Sequence, residues 1–175
     1  MLKRKQTARI VVALAVLVGW AGAQEKRASP HATAAVTLKG QQISIAYGRP
    51  AMRGRKIVGG VVPYGQVWRT GADEATSLVT PVDLMIGGSP VPAGKYTLYS
   101  LPAEGSWKLI INKQTGQWGT NYDEAQDLAR IEMRATKTAA PVERFTVSWT
   151  KTGADQAELA LEWENTRLTV PVAVK

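Results

Sequence analysis

Apolar residues recur at every second position through most of the chain. Val36 and Leu38 begin the pattern, and Ile43, Ile45 and Tyr47 continue it. Val82, Leu84 and Ile86 follow, then Tyr96 and Leu98, then Trp107, Leu109 and Ile111. Ile131 and Met133, Phe145, Val147 and Trp149, and Leu159, Leu161 and Trp163 carry it onward, and Leu168, Val170 and Val172 close it. Side chains on a strand point alternately to opposite faces, so each run offers one apolar and one polar face. Antiparallel sheets with one buried face have this pattern, whereas parallel sheets show continuous apolar runs.

Turn chemistry separates the runs. Lys39-Gly40-Gln41 suits a hairpin, and Gly87-Gly88-Ser89-Pro90 parts two strands. Thr152-Gly153-Ala154-Asp155 and Glu164-Asn165-Thr166 are expected to join the last three strands into a meander. Pro92-Ala93-Gly94 predicts a tight turn before a strand whose Tyr96 hydroxyl can tie down a loop. One short helix is expected over Tyr122–Ala129, capped by Asn121 or Asp123. The resulting fold class is all-β: a single-domain antiparallel β-sandwich with one long loop and at most one short helix.

The N-terminus follows another pattern. Lys3, Arg4, Lys5 and Arg9 precede the apolar run Ile10–Val18, and Ala21-Gly22-Ala23 supplies the small residues of a cleavage site. This is the three-part organisation of a secretory signal peptide, and the run is too short to span a bilayer. The expected layout is a signal peptide over 1–23, a polar N-terminal extension over 24–35 and a β-sandwich domain over 36–175. Export would leave the protein periplasmic or extracellular, with no stable membrane anchor. Four basic residues depart with the signal, so the net charge of +8 falls to +4, from 18 basic and 14 acidic residues. Outside the cytoplasm no nucleic-acid partner is expected. The absence of cysteine excludes thiolate metal sites, and a single histidine, His31, excludes histidine-rich ones. No cofactor is expected and no catalytic or metal-ligating residue is assigned. The sequence is silent on oligomeric state.

The remaining charge is unevenly distributed. From Lys26 through Thr70 there are eight basic residues and no acid; from Asp73 onward there are thirteen acids and ten basic residues. Five of the eight fall between Arg49 and Arg69, in the one long connection between predicted strands. Arginine presents a planar fork of donors suited to carboxylate or phosphate. These arginines either reach acids elsewhere in the fold, with Arg55 or Arg69 pairing Glu74, or form an anion-binding surface. Trp68 reads as a core plug before it reads as a sugar platform. Asp73 and Glu74 are adjacent carboxylates suited to acid–base work only if their environments drive their pKa values apart. Trp118, between glycines, is the tryptophan expected to be most exposed, closing one end of the sandwich or stacking on a ligand. His31 is expected to be a solvated residue in a loose segment. Gly59-Gly60 lacks the context of a phosphate cradle and reads as a bend.

The strings "ISIAYGRPAMRGRKIVGGVVPYGQVWRTGADEATSL", "VPAGKYTLYSLPAEGSWKLIINK", "QWGTNYDEAQDLAR" and "LALEWENTRLTVPV" are ordered along nearly all of the mature chain. They resemble the bacterial exported family catalogued as domain of unknown function 2911. The resemblance implies an exported, mostly β protein and no established reaction. It draws attention to Arg49, Arg55, Trp68, Arg69, Thr70, Gly71, Glu74 and Thr76 without assigning roles. The family pattern carries asparagine where this chain has Asp73, which would add a negative charge to any ligand site there.

The ligand-binding candidates are therefore Arg49, Arg55, Trp68, Arg69, Thr70, Asp73, Glu74 and Trp118. They point first to a binding or interaction module that recognises an anionic or carbohydrate ligand through the arginine-rich loop, residues 49–76. A cell-envelope hydrolase using Glu74 or Asp73, or a purely structural domain, are the alternatives. No nucleophile elbow or metal cluster favours the hydrolase.

Overall fold

The computed structural model describes residues 29–175; the expected signal peptide, and 24–28 of the expected extension, lie outside the described residues. Nine strands follow one another: β1 (His31–Leu38), β2 (Gln41–Gly48), β3 (Ser77–Thr80), β4 (Leu84–Ile86), β5 (Ser89–Val91), β6 (Gly94–Ala103), β7 (Ser106–Asn112), β8 (Asp127–Lys151) and β9 (Gln156–Val174). They form one antiparallel sheet in the order β1-β2-β3-β6-β7-β8-β9-β4-β5. The all-β antiparallel expectation holds. The alternating side chains named above meet in one cluster, with Ile43, Ile45, Leu98, Leu109, Leu161 and Val170 each 2% exposed or less. Burial of such a side chain contributes about 1.5–3 kcal/mol.

Two long strands make the sheet fold over itself. β8 has 25 residues and β9 has 19. The start of β8 pairs with β7, from Trp107 opposite Met133 to Asn112 opposite Asp127, and its remainder pairs with β9. The ladder breaks between Lys137 and Val142, where residues 138–141 of β8 face Asn165 alone. Pro141 sits in this bulge, where no ladder N–H is required. Glu164 opposite has a φ of 54°. Bulges bend and twist a strand, which lets one pair of strands serve both layers. A direct tie crosses the layers as well: the Tyr47 hydroxyl accepts from Val147 N at 3.0 Å, and its ring meets Phe145 edge-on.

Three local expectations change. Glu164-Asn165-Thr166 does not turn between two strands but lies inside β9, its turn chemistry used in the bulge. The expected helix over 122–129 is a single 3₁₀ turn, Glu124–Gln126, because Asp127 already enters β8 and pairs with Asn112. Asp123 does cap that turn, accepting from Ala125 N at 3.0 Å. The expected extension contributes 31–35 to β1, where Ala32, Ala34 and Val36 pack against the core. The hairpins at Lys39-Gly40 and Gly87-Gly88 form with both residues of each turn in the left-handed region, although Ser89 and Pro90, expected between strands, already belong to β5. Tyr96 donates to Pro92 O at 2.9 Å, tying its loop as expected.

The long connection from β2 to β3 is laid over the sandwich as a strap. Near its start, Met52 N donates to Glu143 O and Phe145 N donates to Pro50 O, fastening it to β8. Further on, Trp68 exchanges two backbone hydrogen bonds with Ser100 on β6. Near its end Glu74 bridges to Trp118. Between these fastenings the strap stands away from the sheet, and a cleft opens.

Candidate functional site

The cleft holds about 620 Å³ and is lined by Arg53, Arg55, Trp68, Arg69, Asp73, Gly119, Thr120, Tyr99, Tyr122 and Trp163, among others. Half of the sequence candidates meet there: Arg55, Trp68, Arg69 and Asp73. Arg49, Thr70, Glu74 and Trp118 do not line it.

Each arginine is used differently. Arg49 donates from Nε to Phe145 O at 3.2 Å and from Nη2 to Thr146 Oγ1 at 3.0 Å, stitching the strap to β8. Arg55 donates to Met52 O at 3.0 Å and Ala51 O at 2.8 Å, closing its own loop. Both serve the strap, yet through backbone carbonyls and a hydroxyl rather than the acids expected from the charge pattern. Arg69 makes no hydrogen bond and no ion pair among the described residues, and it opens on the cleft. A Cβ at Gly119 would lie 2.8 Å from Arg69 Cδ and 2.9 Å from Asp73 O. Only glycine lets the 117–119 segment pass this close beneath the arginine.

The expected ion pair between Glu74 and Arg55 or Arg69 is absent. Glu74 Oε2 instead lies 2.9 Å from His31 Nε2, with both side chains part-exposed. His31 is thus neither loose nor unpaired: it starts β1 and is drawn to the strap. The adjacent acids diverge, because Asp73 adopts a φ of 65° and lines the cleft while Glu74 pairs with Trp118. The Asp73 carboxylate receives no hydrogen bond from the described residues, and its Oδ2 is buried.

Thr70 is fully buried. Its hydroxyl lies 2.8 Å from Ser100 Oγ, and its carbonyl accepts from Thr76 Oγ1 at 2.8 Å. Its φ of 50° is unusual for a β-branched residue and costs about 1–3 kcal/mol, offset by this burial and bonding. A Cβ at Gly71 would meet Thr76 Oγ1 at 2.8 Å, and one at Gly48 would meet Ala72 O at 2.2 Å. The 70–73 segment is therefore clamped, and the Arg69 backbone beside it is held in place. Trp68 stacks on Trp163 at 5.7 Å and meets Phe145 edge-on at 5.0 Å, so the plug reading holds while its outer part still borders the cleft. Trp118 is 49% exposed, as expected.

Sequence reasoning missed the wall opposite in chemistry to the arginines. Tyr122 meets Tyr99 edge-on at 4.8 Å. Its hydroxyl donates to Asp127 Oδ2 at 2.6 Å and accepts from Arg130 Nη2 at 2.9 Å. Asp127 also accepts from Arg130 Nε and from Asn112 Nδ2, both at 2.9 Å. Arg130 reaches Glu124 at 2.7 Å as well. Burial, reinforced by the bond to Asp127, pushes the Tyr122 hydroxyl up to about 12. Burial also raises Tyr99, whose hydroxyl donates to Asn121 O at 3.2 Å and accepts from Gln117 Nε2 at 3.1 Å. The bond to Asp127 holds Arg130 even more firmly protonated than usual. The spacing Tyr122–Asp127–Arg130 was visible in the sequence, but a helix over 122–129 would put Tyr122 and Asp127, five residues apart, on different faces.

A family model described as "Protein of unknown function (DUF2911)" matches residues 29–172, and the chain belongs to that family. No curated protein and no solved structure matches the chain.

Proposed function

We propose that this member of the DUF2911 family is an exported binding module whose cleft receives a small anionic ligand. The observation that carries the reading is Arg69: a part-buried residue whose stem packs over Gly119 and whose guanidinium has no partner among the described residues. A guanidinium in such a setting gains most from a carboxylate or phosphate that can bond it in two places. Arg53 and Arg55 on the same lining add positive charge, and a volume of about 620 Å³ suits a small molecule. Binding residues commonly sit on loops held by a rigid scaffold, and the strap is such a loop.

The hydrolase alternative gains no support, since Glu74 stands outside the cleft lining and does not join Asp73 as an acid–base pair. Arg49 and Arg55, like Trp68 and Thr70, serve the strap's attachment, and Arg69 does not share in it.

Trp68 and Trp163 border the cleft, so tryptophan fluorescence reports on its occupation. Titration with inorganic phosphate and with an anionic polysaccharide should give a saturable change that Arg69→Ala abolishes and raised salt weakens. A response that persists unchanged in Arg69→Ala, or no response to any anion from a folded protein, refutes the reading.

A further inference from the structure

Building on the anion-binding reading of this cleft, we infer that its ligand is a hexuronic acid unit, an acid group carried on a hydroxylated ring. Three features of the lining require three features of the ligand. Arg69, without a partner among the described residues, takes the acid group. Asp73 lines the same cleft; its Oδ2 is buried and its carboxylate takes no hydrogen bond from any described residue, so a donor in the cleft would reach it at Oδ1. A carboxylate in that position calls for a donor, and an acid without hydroxyls would leave it unsatisfied.

The third feature is the aromatic surface. Tyr122 is half-buried and has no hydroxyl chemistry to spare, since its oxygen already donates to Asp127 and accepts from Arg130. Trp68 is half-buried and is fixed by Trp163 and Phe145 on its inner side. Both therefore offer ring surface rather than polar atoms, and both are immobile before any ligand arrives. Rigid rings favour a ligand with a flat, weakly polar face, and a pyranose provides one through its C–H bonds. An open-chain acid of equal charge has hydroxyls to give but no such face, and it loses more conformational freedom on binding.

Calorimetric titration of the whole protein with D-glucuronate, D-gluconate, cyclohexanecarboxylate and D-glucose separates these contributions. Glucuronate should bind most tightly. Gluconate, with the ring opened, should bind roughly tenfold more weakly. Cyclohexanecarboxylate keeps ring and acid but offers Asp73 no donor, and it should also fall behind glucuronate; glucose, without the acid, should give no binding heat. Tyr122→Phe should retain glucuronate affinity, and Tyr122→Ala should lose the advantage over gluconate. Equal affinity for glucuronate and either of the other two acids would overturn the inference while leaving the anion cleft standing. So would binding of inorganic phosphate without binding of glucuronate. If no acid binds at all, the anion cleft falls and this inference falls with it.

Discussion

The cluster around Arg130 and the cleft around Arg69 share a tyrosine, Tyr122, but use their cations in opposite ways. Arg130 donates to Asp127 and Tyr122 and pairs with Glu124. The cluster is closed: its charges answer one another, and its effect is to hold one wall of the cleft still. The Arg69 stem packs over Gly119, and no described residue bonds its guanidinium. A cation satisfied within the fold adds rigidity; a cation held in place with its donors open is equipped for a ligand. The strap repeats the contrast within itself, since Arg49 and Arg55 are satisfied by β8 and by their own loop.

The contrast can be tested by removing one member at a time. Asp127→Ala should have the largest effect, about 3 kcal/mol of stability in a urea titration, because Tyr122, Arg130 and Asn112 all lose an acceptor. A cost below about 1 kcal/mol would mean that the cluster is not the rigid wall described. Arg49→Ala should cost about 1–2 kcal/mol through its lost bonds to Phe145 O and Thr146 Oγ1. Arg69→Ala should leave stability within about 0.5 kcal/mol of the parent, since nothing in the fold is left unbonded. Comparable losses for Arg49→Ala and Arg69→Ala would erase the distinction between the two arginines.

The smallest effect is one of pH. The Tyr122 hydroxyl moves from an ordinary value of 10.0 to about 12. Over that interval the folded protein holds a proton that the unfolded chain has released. Its contribution to stability is complete below the unfolded value and is lost as the pH rises toward about 12. Tyr122→Phe should therefore make the alkaline decline in stability shallower across this window; an unchanged slope in chemical-denaturation series would remove Tyr122 as its source.

Much of the architecture was legible in the pattern of apolar positions. Ile43, Ile45, Leu98, Leu109, Ile111, Leu161 and Val170 all reach the core from the phase that alternation assigned them. The hairpins at Lys39-Gly40 and Gly87-Gly88 follow from residues able to take positive φ. The errors came where local chemistry had more than one use. Glu164-Asn165-Thr166 suits a turn and equally suits a bulge, and only the partner strand, with its surplus residues 138–141, decides which. "YDEAQDLA" suits a short helix, but Asp127 is drawn into β8 by pairing with β7.

The candidate site was legible only in part. The arginine-rich connection does border an open cleft, and Arg69 and Asp73 stand in it. That Glu74 would meet His31 rather than Arg55 or Arg69 was not readable, because His31 and Glu74 are far apart in sequence and meet only once β1 and the strap are in place. The tyrosine wall was hidden by the helical reading.

Local patterning dictates antiparallel strands with one apolar face each, and it gathers five basic residues, with no acid between them, into one connection. Alternation and composition are local properties, and they act on every residue as the chain is written. Tertiary structure alone decided which arginine would be left over. Arg49 finds its partners 96 and 97 positions away, whereas Arg69 packs its stem over Gly119, from another part of the chain, and finds no partner among the described residues. Whether a charged group is satisfied depends on what the fold brings within about 3 Å of it, and that distance is set by packing between distant segments, not by neighbours in sequence.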